Sequence, residues 1–216
     1  MSNLHALTTP IQDLTFAVVD TETTGMYCQY NRVMDIGIVI VKNGEIVEEW
    51  EALIDPKQEV PYWITEFTGI DNFHVKGKPI FKHYFPKIKS YLDNSIFVAH
   101  NVGFDYGFIK EEFLRCEHTF IAPNLCTVKL ARKLLPNLSG SNLDVLSDYY
   151  NIEISARHRA LPDAQATAVV LLEFIKIARE KYNARTFVDL ERLQALKIDK
   201  ETIGDNLSTS RPSLFN

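Results

Sequence analysis

Asn43-Gly44 limits the fold of this chain more than any other feature. It separates VMDIGIVIVK (33–42) from EIVEEWEALI (45–54). Asn-Gly is the strongest short signal for a two-residue hairpin, because both residues tolerate the positive φ that a type I′ turn requires. Residues 33–54 are therefore expected to form two antiparallel strands. TFAVVD (15–20) is a short apolar run of β-forming residues that ends at an acid, and it reads as a buried strand just before the hairpin. SIFVAHN (95–101) reads as another. Between them Pro56 and Pro61 break the chain, and Pro61 suits the first turn of a short helix through about Phe67. IFKHYFPKIKSYLD (80–93) has helical spacing, with a disturbance expected at Pro86.

The second half reads as helical. GFDYGFIKEEFLRC (103–116) carries apolar residues at helical spacing, as do 127–135, 142–150 and 162–182, with room for a short strand near 121–126. This order predicts an α/β domain, a mixed five-stranded sheet with helices on its faces. The domain is expected over residues 13–183, preceded by an N-terminal extension (1–12) and followed by a C-terminal helix and flexible tail (184–216). A chain of 216 residues can bury a full core without staples. Its three cysteines are widely spaced and odd in number, which argues against a disulfide framework or a cysteine-based zinc site and fits a reducing compartment. No apolar run is long enough to span a bilayer, and the N-terminus lacks the pattern of a secretory signal, so a cytoplasmic location without a membrane partner is expected. The net charge of −5 argues against a long, passive surface for binding phosphate backbones. It leaves open an enzyme that grips a short strand end through metal ions, and it hints at a partner that supplies affinity.

Three acidic clusters fall at strand ends or helix starts. Asp20 and Glu22 lie two apart at the exit of the first strand, so an extended chain directs both carboxylates to one side. Hard divalent cations favour such oxygen ligands, although a solvated turn would also account for the pair. Asp105 stands near the start of a helix, where it could also serve as a cap. His158 and Asp163 flank Pro162, which suits the first turn of the long helix. In one continuous helix these two side chains would diverge by roughly 140°, but a loop before Pro162 lets both face one site. Clefts in α/β sheets form at such positions. Two like charges about 6 Å apart cost roughly 3 kcal/mol at an effective dielectric near 20. A fold would not gather four carboxylates for stability, so a cation is expected to hold them together.

Val18-Val19-Asp20-Thr21-Glu22-Thr23-Thr24-Gly25, the HNVGFDYGFI segment (100–109) and His158-Arg159-Ala160-Leu161-Pro162-Asp163-Ala164 resemble, in order, the three exonuclease motifs of the DnaQ-like family, the histidine-containing branch of the DEDD superfamily. The resemblance runs from about Leu14 to Lys176. It implies a ribonuclease H-like domain that cleaves nucleic acid from the 3′ end to nucleoside 5′-monophosphates. Asp20, Glu22, Asp105 and Asp163 would hold two divalent ions, Mg²⁺ or Mn²⁺, and His158 would be the general base. Within the family, the Thr-Glu-Thr-Thr-Gly stretch looks most like the proofreading epsilon subunit or domain of bacterial DNA polymerase III. That implies a single-stranded or frayed 3′ end as substrate, DNA favoured over RNA, and a polymerase subunit as a possible partner.

The same resemblance gives Thr23, Thr24, Phe67, Thr68, Ile70 and Phe104 as substrate contacts, although Phe67, Ile70 and Phe104 could equally be core. Asn101 reads as a turn residue and His100 as support for the strand end. Lys129, Arg132 and Lys133 read as a solvated helix face. Arg157 and Arg159 are better placed to meet a phosphate. Two other readings remain: a nuclease that trims RNA 3′ ends, and a catalytically silent binding scaffold that keeps the fold. A Rossmann-type enzyme lacks its glycine fingerprint after the first strand.

Overall fold

The computed structural model describes residues 8–195. Its sheet has five strands in the order β3-β2-β1-β4-β5: β1 (Thr15–Thr23), β2 (Val33–Lys42), β3 (Glu45–Leu53), β4 (Ile96–Ala99) and β5 (Asn124–Cys126). The Asn43-Gly44 hairpin forms as expected, with φ of 55° and 80° at the two turn residues. β1 pairs antiparallel with β2 and parallel with β4, and β4 is parallel to β5. β1 runs three residues beyond the expected end at Asp20. Pairing with β2 carries it through Thr23↔Val33, with a register shift between Glu22 and Thr23. Asp20 and Glu22 therefore lie inside a paired strand, where a sheet can fix their direction.

The helices are α1 (Tyr62–Thr68), α2 (Asn72–Val75), α3 (Phe81–Leu92), α4 (Gly103–Arg115), α5 (Thr127–Leu134), α6 (Leu143–Tyr150), α7 (Ala160–Tyr182) and α8 (Phe187–Ala195). Pro61 is the cap before α1 rather than a residue of its first turn, and α3 continues through Pro86. Two apolar cores cover the two faces of the sheet. Phe16 and Val18 pack with α5, α6, α7 and α8, while Ala17 and Val19 pack with α3 and α4. The period of two along a strand sorts the residues in this way. Carried forward, the alternation puts Asp20 and Glu22 on the α7 side and Thr21 on the α4 side.

α7 begins at Ala160, two residues earlier than Pro162 suggests. The carboxylate of Asp35, on β2, accepts from Ala160 N at 3.3 Å and so caps the helix from across the sheet. Gly37 makes the approach possible: a Cβ there would lie 2.5 Å from Ala160 backbone atoms.

Phe187, Leu190 and Leu193 of α8 belong to the core on the α7 side. Gln194 donates to Asn124 O at 3.1 Å and accepts from Cys126 N at 2.9 Å, satisfying backbone groups on the free edge of β5. Within the expected N-terminal extension, Ile11 is buried in the same core and its N–H donates to Arg185 O at 2.9 Å. The expected flexible tail beyond residue 195 lies outside the described residues. Among the described residues, no helix is long and apolar enough to cross a membrane.

Candidate active site

A cleft of about 330 Å³ opens at the carboxyl ends of β1 and β4, and Asp20, Glu22, Asp105, His158 and Asp163 all line it. They arrive on one strand, two helices and the loop before the second helix. Asp20 and Glu22 come from the end of β1. Asp105, in the first turn of α4, approaches β1 from the other face. There its Oδ1 accepts from Thr21 N at 3.0 Å and Thr21 Oγ1 at 2.8 Å. Asp163 lies in the first turn of α7. His158 precedes that helix in the left-handed region, at φ 60°, and its N–H donates to Asp163 Oδ2 at 3.1 Å. This bend removes the divergence that a continuous helix would impose. The His158 ring lies 4.1 Å from that of Phe67, centroid to centroid.

Burial raises the pKa of all four acids, and neighbouring carboxylates add to the rise at Asp20 and Glu22. Burial lifts Asp20 well above the usual carboxylate range, reinforced by Asp105, Glu22 and Asp163. Burial, Asp163, Asp35 and Asp105 push Glu22 up to about 8, against the opposing pull of Arg157. Asp105 rises to about 7 through burial, which outweighs its hydrogen bonds from Thr21. Burial raises Asp163 too, opposed by Arg157. Arg157 opposes the rise at Asp20, Glu22 and Asp163 without cancelling it. Asp163 Oδ1 is buried without a hydrogen-bond partner. Ligand atoms of Glu22, His158 and Asp163 lie within 4.8 Å of one another, a spacing that could hold a metal ion. A hard oxygen-rich donor set of this kind fits a divalent cation.

Of the expected substrate contacts, Thr23, Phe67, Thr68 and Phe104 line the cleft, whereas Thr24 and Ile70 do not. Thr24 is buried, with its hydroxyl donating to Gln58 Oε1 at 2.8 Å and accepting from Arg32 N at 3.0 Å. Ile70 is buried in a small core with Met34, Val60, Ile64 and Val75. His100 supports the strand end as expected, with Nδ1 2.8 Å from Thr127 Oγ1; burial lowers its pKa to about 4. Asn101 lies at the turn with φ 72° and accepts from Phe104 N through its carbonyl.

The two arginines expected to meet phosphate are engaged inside the protein. Arg159 pairs with Asp35 at 2.9 Å. Arg157 bridges Asp144, at 2.6 Å, and Asp163. Its guanidinium thus supplies positive charge to the acidic cluster. Sequence reading missed this contact, and it also missed Met26 and Trp63 in the cleft wall. It missed the capping role of Asp35, whose one available signal was an acid inside an otherwise apolar strand.

A mixed five-stranded sheet flanked by helices, with acids at the end of β1 and in the first turns of α4 and α7, has the ribonuclease H-like fold, and comparison with known proteins agrees. The RNase_T family, described as exonuclease, matches residues 17–171. The chain belongs to this exonuclease family, as a domain of the DnaQ type, and is a nuclease-class hydrolase. It is 36% identical over 184 residues to the DNA polymerase III PolC-type of Clostridium perfringens. That match covers 85% of this chain but only 13% of the relative's length. It is 33% identical over 183 residues to the DNA polymerase III subunit epsilon of Aquifex aeolicus, covering 84% of this chain and 91% of that one. Exonuclease X, solved in complex with 5′ overhanging duplex DNA, shares the fold with a TM-score of 0.62 at 23% identity, covering 84% of this chain and 99% of that one.

Proposed function

We propose that this protein is a 3′–5′ exonuclease that releases nucleoside 5′-monophosphates from single-stranded or frayed 3′ ends, with DNA favoured over RNA. The observation that carries this reading is the convergence of four carboxylates and His158 in one cleft. Asp20, Glu22, Asp105 and Asp163 would hold two divalent cations, Mg²⁺ or Mn²⁺. Bound there, they would stabilise the attacking hydroxide and the leaving 3′ oxygen of an in-line displacement.

The protein's own part is positional. β1 presents Asp20 and Glu22 in a fixed register, and Thr21 holds Asp105 against them. His158 would take the proton from the attacking water at a ring nitrogen, acting as general base beside the acids that would hold the cations. Phe67 packs against that ring, which limits the directions it can face. Phe67 and Phe104 form apolar walls for the terminal base. Roles in proofreading beside a polymerase subunit and in the cytoplasm draw support from the relatives named as DNA polymerase III.

The test is a set of oligonucleotides labelled at the 5′ end: single-stranded DNA, duplex DNA with a paired or mispaired 3′ end, and RNA. A ladder shortening stepwise from the 3′ end, fastest on unpaired DNA, stopped by EDTA and restored by Mn²⁺, is the expected result. Endonucleolytic fragments, or no cleavage with either metal, would overturn the reading.

A further inference from the structure

Many of the large apolar side chains exposed among the described residues stand on the segments that bound the cleft. Met26, Tyr27 and Tyr30 lie on the connection from β1 to β2, and Tyr62, Trp63 and Phe67 on α1. Trp63 is 51% exposed, Tyr62 76% and Tyr30 78%. Trp63 and Phe67, one helical turn apart, both line the cleft with Met26. Ile64 and Thr68 are buried and anchor the helix while also reaching the cleft wall.

Both segments are braced. Gln58, just before α1, accepts from Thr24 at 2.8 Å and donates to Tyr30 O at 3.0 Å. Arg115, on α4, donates to Cys28 O at 2.9 Å. The aromatic rim is therefore held in place before any ligand arrives.

The cations tell the complementary half. On the segments 24–32, 56–75 and 151–159, every lysine and arginine is in an ion pair: Arg32 with Glu112, Lys57 with Asp55, Arg157 with Asp144 and Asp163, and Arg159 with Asp35. A strand leaving the cleft across this rim meets flat apolar faces and few free positive charges. Aromatic side chains stack on any base, so they hold single strands with little sequence preference.

We propose that the exposed aromatic side chains of α1 (Tyr62 and Trp63) and of the connection from β1 to β2 (Tyr27 and Tyr30) hold the bases upstream of the reacting nucleotide by stacking rather than by phosphate contacts. This rests on the exonuclease reading and deepens it: the ligand is a few unpaired nucleotides at a 3′ end, and a paired end must fray to expose the base faces that the rim takes.

The test measures binding in EDTA, where cleavage is absent, by fluorescence anisotropy of 5′-labelled oligothymidylates one to eight nucleotides long. Affinity should rise over the first few nucleotides. The slope of log affinity against log salt concentration should be shallower than about −1.4, equivalent to two neutralised phosphates on a single strand. Trp63→Ala should weaken binding by about five- to 150-fold, Trp63→Phe should retain most of it, and Tyr30→Ser should give a smaller loss. A steep salt slope, or unchanged affinity in Trp63→Ala, overturns the proposal. So does a concentration-dependent dimer abolished by Tyr30→Ser, which would make the rim a contact between copies.

The wild-type protein with Mn²⁺ is assayed separately on the p-nitrophenyl ester of thymidine 5′-monophosphate and on the labelled ladder. Cleavage with a steep salt slope removes this inference alone. Stacking without any cleavage removes the exonuclease reading and leaves the rim as a binding surface.

Discussion

Hydrogen bonds dominate the surroundings of Asp55, Asp71 and Asp189, whereas burial dominates those of Asp20, Glu22, Asp105 and Asp163. Asp71 accepts from Phe73 N at 2.8 Å and His74 N at 3.0 Å, and Asp189 from Arg185 N and Thr186 N at 2.9 Å each. Asp55 accepts from Lys57 N and Gly77 N and pairs with the Lys57 ammonium. In all three, hydrogen bonds hold the carboxyl below its usual range. In the cleft all four are pushed above it. The first group does what acids at helix starts and turns ordinarily do. The second is costly to the metal-free fold, which is the signature of groups arranged for a ligand or a reaction.

This contrast can be broken most sharply at Asp20. Asp20→Ala should reduce turnover to the level of the metal-free protein while raising the metal-free melting temperature, since it relieves repulsion. Retained nuclease activity, or a drop in melting temperature, would contradict the contrast. His158→Ala should lower turnover by about 100- to 10,000-fold, the usual worth of a general base, with Mn²⁺ affinity by calorimetry nearly intact. An equal loss of both would make His158 a ligand alongside Glu22 and Asp163.

pH provides a third test. Glu22 and Asp105 have folded pKa values near 8 and 7, above their ordinary values of 4.5 and 3.8. A raised carboxylate pKa means that the unfolded state loses its proton first. Its contribution to stability is complete below the ordinary value and is lost as pH rises through the folded one. The metal-free melting temperature should therefore fall between about pH 4 and pH 8. Saturating Mn²⁺ should offset the fall, by about 2.7 kcal/mol at 100 times its Kd. A metal-free melting temperature that climbs across that window would refute the assignment.

Arg157→Gln should have a smaller effect, lowering the metal-free melting temperature and tightening Mn²⁺ binding severalfold, because the guanidinium now neutralises part of the cluster. Weaker Mn²⁺ binding would instead show that Arg157 supports the ligands. Asp189→Ala should cause the least change, a slight loss of melting temperature with turnover retained, and a nuclease defect there would blur the distinction between the two groups of acids.

The sheet and most helices were legible because their signals are local. Asn43-Gly44 dictates a turn, and VMDIGIVIVK and TFAVVD declare buried strands. The catalytic candidates were legible through the order of three short motifs. The ends of elements were harder to read. β1 continues past Asp20 because β2 pairs with it, and α7 starts at Ala160 because Asp35 caps it from another strand. The substrate contacts divided for a similar reason. Phe67 and Ile70 are both apolar and three residues apart, yet Phe67 lines the cleft while Ile70 is buried in a core that includes Met34 and Val60.

By itself, the sequence determined that four acids and a histidine lie at strand ends and helix starts of an α/β sheet, because periodicity and turn chemistry depend on neighbours in the chain. Only the tertiary structure decided how they are used. It brought Thr21 to Asp105 across 84 residues, turned Arg157 inward, and paired Arg159 with Asp35 across 124. These contacts join segments remote in sequence, so their energies depend on packing that no local pattern encodes. The hairpin at Asn43-Gly44 fixed where β2 runs, but Gly37 on that strand, by admitting the start of α7, decided how near Asp163 and His158 stand to Asp20.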